Sequence, residues 1–372
     1  VKGKQNPPGE VGRSPTATRG SEEHGAGVST SPRPSRGYAR EAMMTFYVPG
    51  QQSVQTADLR ACASLSPRAV WIDLVDPTRE EELAVEAAIG QEVPTRDEMQ
   101  ALEPSSRLYQ EGNVLFMTAT LLARSDTSHP ERTPLSFILT PERLVTVRYA
   151  TPKALEVFTT RWASKPAEHD SAVKVFKGLV DAIVERLAEV LELTGDGVDQ
   201  LSLEVLSDGT KEESATRRPR RPLQADFQRV LRRIGRHSDL ASRARESVVS
   251  LSRLVSFFRE VAKNDPRLTS ANAHLKTVGD DLASLGDHAT FLSSKVSFLL
   301  DATLGLINNE QNGIIKIVSV AAVVFLPPTL VASIYGMNFR HMPELGWRFG
   351  YPMALVLMLV SAILPYVVFR RK

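Results

Sequence analysis

Apolar positions along this chain follow different periods in different stretches. From Met44 to about Tyr149 they come in short runs bounded by turn residues, a pattern of strands mixed with short helices. Val70-Trp71-Ile72-Asp73-Leu74 reads as a buried strand. Asp76-Pro77-Thr78 ends it, and Thr78 is placed to cap a helix opening on Arg79-Glu80-Glu81-Glu82. Residues 113–122, 135–139 and 144–149 are β-rich, the last two parted by the turn Thr140-Pro141-Glu142-Arg143. These elements predict an α/β domain with a small sheet.

Beyond about Thr151 strand signals stop. Residues 172–193 carry apolar side chains at Val173, Phe176, Leu179, Val180, Ile183 and Leu187, a helical spacing, and residues 225–263 continue in helix. The next helix bears Leu275, Val278, Leu282, Leu285, Ala289, Leu292, Val296, Leu299, Thr303 and Leu306, in steps of three and four. That is a heptad seam over more than four repeats, uninterrupted by proline between Pro266 and Pro327. A helix of this length reaches about 90 Å. A seam so long predicts neighbouring helices and a stalk that associates.

Two continuous apolar runs follow. Residues 317–334 carry only hydroxyls among the apolar side chains and rise about 27 Å as a helix, against about 30 Å of hydrocarbon. Residues 349–369 hold no charge. The nine residues at 340–348 between them require an antiparallel hairpin. Arg370-Arg371-Lys372 follows the second run and Lys316 precedes the first, so the positive-inside rule puts both termini in the cytoplasm of a cell-membrane protein. Pro327-Pro328 stands within the first run, either as a packing kink or with a role in a pore.

Composition changes this picture little. With 45 basic and 43 acidic residues the chain is nearly neutral, and nothing in it calls for nucleic acid. The single cysteine, Cys62, excludes an internal disulfide framework. The first forty or so residues are rich in Pro, Gly, Ser, Thr and Arg and read as disordered, without the apolar core of a secretory signal. The chain begins with Val, and Met43 or Met44 is an expected start of translation. Lys211 to Pro222 is strongly basic and reads as a solvated loop, with a specific anion site as the alternative. The seven histidines show no i, i+4 pair on one helix, Cys pairs are absent, and neither a Gly-x-Ser-x-Gly elbow nor a Walker lysine loop occurs. Catalysis and an organic cofactor therefore have no support.

Candidate chemistry lies at the end of the first run, in Tyr335-Gly336-Met337-Asn338-Phe339 followed by Met342-Pro343-Glu344-Leu345. With two apolar spans around it and a long helix before it, this segment resembles the CorA family of magnesium channels, whose Gly-Met-Asn signature lies between two C-terminal spans. The physical case for Mg2+ is that the ion dehydrates reluctantly. Neutral amide and carbonyl oxygens can hold it through its water shell and still release it. Asn338 supplies such an oxygen, Gly336 permits a non-helical backbone there, Met337 completes the signature, and Tyr335 and Phe339 suit the membrane interface.

The resemblance implies more. It makes Asn312, 26 residues before Asn338, the inner asparagine of a pore whose lining continues through Ile315, Val318, Ala322, Leu326, Thr329 and Ser333. One helix face accounts for that spacing, as ordinary packing would. Apolar rings at Ile315, Val318 and Leu326 could close a pore by dewetting. It makes Asp301, after Leu299-Leu300, a sensor carboxylate where intracellular Mg2+ bridges subunits and holds the channel shut, with Asp280, Asp281 and Asp287 as lesser candidates or solvated side chains. It implies a funnel-shaped homopentamer passing Mg2+, with Co2+ or Ni2+ also in range. Arg340 departs from an often acidic family position and Ser333 from a common glycine, which bears on ion preference, with Glu344 left to offset Arg340.

The expected fold class is α+β. Its parts are a disordered tail (1–42), a cytoplasmic α/β domain (43–150), a cytoplasmic helical region (151–265), a stalk helix running into the first span (266–335), an outer loop (336–348), a second span (349–369) and a basic end (370–372). Two alternatives stand beside Mg2+ influx: a Zn2+ transporter of the same superfamily, and a membrane-anchored coiled-coil scaffold.

Overall fold

The structure is a computed structural model that describes residues 44–56, 58–101, 103–127, 129–206, 224–337 and 342–371. The expected disordered tail and the basic segment at 211–222 lie outside the described residues.

Seven strands build one mixed sheet: β1 (Met44–Tyr47), β2 (Val54–Thr56), β3 (Trp71–Val75), β4 (Leu108–Glu111), β5 (Val114–Ala123), β6 (Glu131–Leu139) and β7 (Leu144–Arg148). Their order is β2-β1-β3-β7-β6-β5-β4, with β3 and β7 parallel and the other pairings antiparallel. The pleat sends alternate residues to opposite faces. Trp71, Leu115 and Met117 pack on one face with α4 (Lys153–Ser164) and the long helices that follow it. Ile72, Leu74 and Phe116 pack on the other with α1 (Leu59–Leu65), α2 (Arg79–Ile89) and α3 (Arg96–Gln100). Thr78 caps α2 as its sequence predicts: its hydroxyl accepts from Glu81 N–H, and Glu81 Oε2 accepts from the Thr78 N–H at 2.8 Å.

One polar chain crosses the core. Trp71 Nε1 donates to Thr146 Oγ1 at 2.8 Å, and Thr146 donates in turn to Asp73 Oδ1 at 2.6 Å. Arg148 Nη2 completes it at 2.8 Å from Asp73 Oδ2. The acid and the base come from the parallel neighbours β3 and β7, and both are buried.

The helical part is a three-helix bundle of α5 (Ala172–Leu206), α6 (Gln224–Ala262) and α7 (Thr269–Tyr335). Asp181 meets His274 at 2.7 Å, and Asp199 pairs with Lys295 farther on, so α5 runs parallel to α7. Gly279 lies by Val255 and Gly286 by Val248, so α6 runs antiparallel to α7. At 67 residues α7 is about 100 Å long. The seam of α7 is buried from Leu275 to Thr303 apart from the half-buried Leu285, and Leu306, beyond that stretch, is exposed. Its cover is α5 and α6 of the same chain. The inference from seam to intermolecular association therefore fails: heptad spacing records that a helix has neighbours, not whose they are.

Further differences from expectation are local. α5 continues to Leu206, well past the apolar pattern at 172–193. Short elements β2, β4, α1 and α3 carry too few residues to show a period, whereas α4, with Ala154, Leu155, Phe158 and Trp162 buried at helical spacing, is long enough to show one. Pro327 and Pro328 do not end α7. α8 (Gly350–Arg371) returns along α7.

Candidate functional site

The last third of α7 and nearly all of α8 are long and apolar enough to cross a membrane, and almost none of either apolar window is buried. Between Ile317 and Met337 no side chain is charged. α8 presents Ala354, Met358, Ser361, Ala362 and Pro365, positions three or four apart, as its covered stripe. Small residues on that stripe allow the close backbone approach that stabilises helix pairs in lipid.

The covered positions of α7 are Val320, Val324, Pro327, Pro328, Val331 and Tyr335. At about 100° per residue they fall within an arc of about 100° centred near Val324. Taken from the same origin, Asn312, Ile315, Val318, Ala322, Leu326, Thr329 and Ser333 fall between about 120° and 240°. All seven are exposed. The stripe singled out in the sequence thus lies opposite the stripe that α8 covers. Both prolines lie on the covered side, which supports the packing reading of Pro327-Pro328. Proline there removes the donors for the carbonyls of Val323 and Val324.

Thr329 is the polar group within the membrane-length part of the exposed stripe whose bonding is defined. Its hydroxyl donates to Phe325 O at 2.7 Å. The proton is thereby committed to backbone, and the oxygen faces outward as an acceptor, suited to the hydrogens of a hydrated cation. Toward the stalk, Asn308 lies one turn before Asn312, exposed on the same side. The sequence reading passed over it, although its i−4 spacing from Asn312 was the available signal.

At the far end of α7, Gly336 N–H donates to Ala332 O at 2.9 Å and Met337 N–H to Ile334 O at 3.3 Å. Gly336 has φ −84° and ψ −3°, a right-handed conformation open to any residue. The expected need for glycine's dihedral freedom is therefore not met there. Glycine instead relieves crowding, since a Cβ at 336 would lie 3.1 Å from the Ala332 carbonyl. Gly336 and Met337 are exposed, and Tyr335 is half-buried. Asn338 and Arg340 lie outside the described residues, as do the side chain of Glu344 and the anchor Phe339. Trp347 and Phe349, ring centroids 6.2 Å apart, and the exposed Tyr351 add an aromatic group at this end that sequence reading did not assign.

Asp301, Asp280, Asp281 and Asp287 are exposed on α7. Among the described residues no three His, Cys, Asp or Glu side chains gather closely enough to hold a metal ion.

With this geometry in view, the chain is similar to known proteins over most of its length. A sequence profile described as CorA-like Mg2+ transporter protein matches residues 67–371. The chain is 34% identical over 305 residues to the magnesium transport protein CorA of Escherichia coli (strain K12), an alignment covering 82% of this chain and 91% of that one. The Pasteurella multocida protein of the same name is 34% identical over the same shares. The complete structure of the CorA magnesium transporter from Methanocaldococcus jannaschii superposes with a TM-score of 0.63 at 16% identity, covering 89% of this chain and 98% of that one. At that identity the likeness shows the fold.

Proposed function

The chain belongs to the CorA-like Mg2+ transporter family, and from that premise we propose how its residues carry Mg2+ across a membrane. α7 and α8 span the bilayer as a hairpin with both termini in the cytoplasm, and five copies surround a central pathway. A single helix cannot enclose a lumen, so the exposed stripe of α7 lines one only when copies gather. The observation that carries the proposal is the opposition of the two α7 stripes: α8 covers one side, leaving Asn312, Ile315, Val318, Ala322, Leu326, Thr329 and Ser333 free for the axis.

Gly336, Met337 and Asn338 form the mouth. There the amide oxygen of Asn338 and backbone carbonyls receive the hydrated ion without stripping its waters. Glu344 and Arg340 set the local field. The ion then passes apolar rings at Leu326, Val318 and Ile315, wetted through Thr329, and leaves past Asn312. Influx needs no chemical energy, because a divalent charge gains about 4.6 kcal/mol per 100 mV of inside-negative potential. Asp301, aided by Asp287 and Asp280, gates the pathway: intracellular Mg2+ bridges carboxylates between copies, and its loss lets them repel and the ring open. Co2+ and Ni2+, with similar hydration shells, are secondary substrates.

Uptake into liposomes containing a Mg2+-sensitive dye tests this reading. Mg2+ flux that hexammine-cobalt blocks and Asn338→Ala abolishes is the expected result, since that complex imitates the hydrated ion and cannot shed its ligands. Flux of Zn2+ without Mg2+ would refute the ion assignment. Full activity in Asn338→Ala would refute the mouth.

A further inference from the structure

A groove of about 500 Å3 opens between the β4–β5 edge of the sheet and α6. Ser242, Arg245, Glu246, Val249, Ser250 and Arg253 recur every three or four residues, so one face of α6 forms its wall. Arg107, half-buried and bonded to Thr120, and the exposed Arg132 also line the groove.

Charge in this groove is unbalanced. Four guanidinium groups line it against one carboxylate, and that carboxylate is engaged, since Glu246 Oε2 accepts from Arg132 Nη1 at 2.7 Å. Arg107 Nη2 donates to Thr120 Oγ1 at 2.7 Å, and its buried Nε has no partner. Arg245 and Arg253 form no ion pair or hydrogen bond among the described residues. Ser250 Oγ accepts from Thr120 N–H at 2.8 Å, which leaves its own O–H to donate. Burial and, after it, the like charge of Arg253 push the pKa of Arg107 down. Gathering cations in a concave place is unfavourable unless an anion joins them.

We infer that this groove binds a small solute carrying two or more linked phosphates, held by Arg107, Arg245 and Arg253. Guanidinium matches phosphate through paired N–H donors. Arg245 and Arg253 are eight residues apart, about 12 Å along the helix, which a single phosphate does not span and a phosphate chain does. The volume lies within the range of small-molecule sites, about 300–1,000 Å3. A solute of three or four negative charges offsets the uncompensated arginines.

Calorimetric titration of the full chain in nanodiscs, in Mg2+-free buffer, tests the inference with pyrophosphate, ATP and orthophosphate as probes. Saturable binding of pyrophosphate or ATP is expected, with orthophosphate at least about tenfold weaker. A higher affinity for ATP than for pyrophosphate would assign the site to nucleotides, and equal affinities to inorganic polyphosphate. Arg245→Gln and Arg253→Gln are exposed changes that leave the fold intact, and each should weaken binding about tenfold at an unchanged Tm. Arg68→Gln, an exposed control outside the groove, should leave affinity unaltered. Absence of saturation with both ATP and pyrophosphate in the low millimolar range overturns the inference. So does equal affinity in the parent and both groove variants. A change of oligomer size in Arg245→Glu without phosphate binding would also overturn it, handing the groove to acidic side chains of a second copy.

Discussion

Val324 and Leu326 stand two residues apart on α7 and point in nearly opposite directions, Val324 half-buried on the side along which α8 packs and Leu326 66% exposed. Two residues of helix turn the side chain by about 200°. If Leu326 closes the pathway by excluding water, a polar side chain there should hold it open. Leu326→Ser is expected to raise Mg2+ leak into liposomes severalfold under high internal Mg2+. Val324→Ser, on the covered side, should leave the leak near the parent value. Equal leak in the two variants would remove Leu326 from the gate.

Asp301 is exposed, and among the described residues it belongs to no group of three metal-ligating side chains. Asp301→Asn should therefore leave folding intact and weaken inhibition by internal Mg2+. Flux measured against increasing internal Mg2+ should stay high to concentrations at which the parent is shut. An unchanged inhibition curve would exclude Asp301 as a sensor.

The pair Asp73–Arg148 joins parallel strands inside the core, its side chains 2% and 8% exposed. Arg148→Met leaves the carboxylate buried without its base, which costs about 3–5 kcal/mol. The apparent Tm in detergent should fall clearly. Asp73→Leu together with Arg148→Met should recover much of the loss, because no charge then stays uncompensated. A double variant no better than the single one would contradict that account.

Thr78→Ala removes one half of the capping box of α2 and should cost about 1 kcal/mol. The change lies in the α/β part, away from the stripe on α7. Tm should drop slightly while Mg2+ uptake at moderate temperature stays the same. Loss of uptake at full folding would show that α2 takes part in transport.

His169 and His237 both have pKa values held down chiefly by burial, with Arg233 and Arg236 adding to the effect at His237. A depressed histidine pKa means that the unfolded chain takes up protons first as pH falls. Their contribution is fully present above the unfolded value, about 6.5, and is lost as pH falls toward the folded values. The apparent Tm should drop between pH 7.5 and 5.5, and by less in His237→Gln. Identical pH slopes would dismiss the histidines as the cause.

What the sequence alone determined was whatever repeats over enough residues to define a period or requires a run of one kind. The β-rich runs that become β3, β5, β6 and β7, the capped start of α2, the seam from Leu275 to Thr303, the two apolar lengths and the Gly336-Met337-Asn338 signature were all legible. The short elements α1, α3, β2 and β4 were not, since a few residues carry no periodicity. Tertiary structure decided three matters. It assigned the seam of α7 to α5 and α6, because apolar spacing encodes burial and not the identity of the covering chain. It chose which α7 stripe α8 covers, a choice resting on fit between small side chains on α8 and the valines and prolines facing them. It brought Arg107 beside Arg253, 146 positions away in the chain. Charges so distant in sequence meet only when sheet and helix pack, so no local pattern could disclose the groove between them.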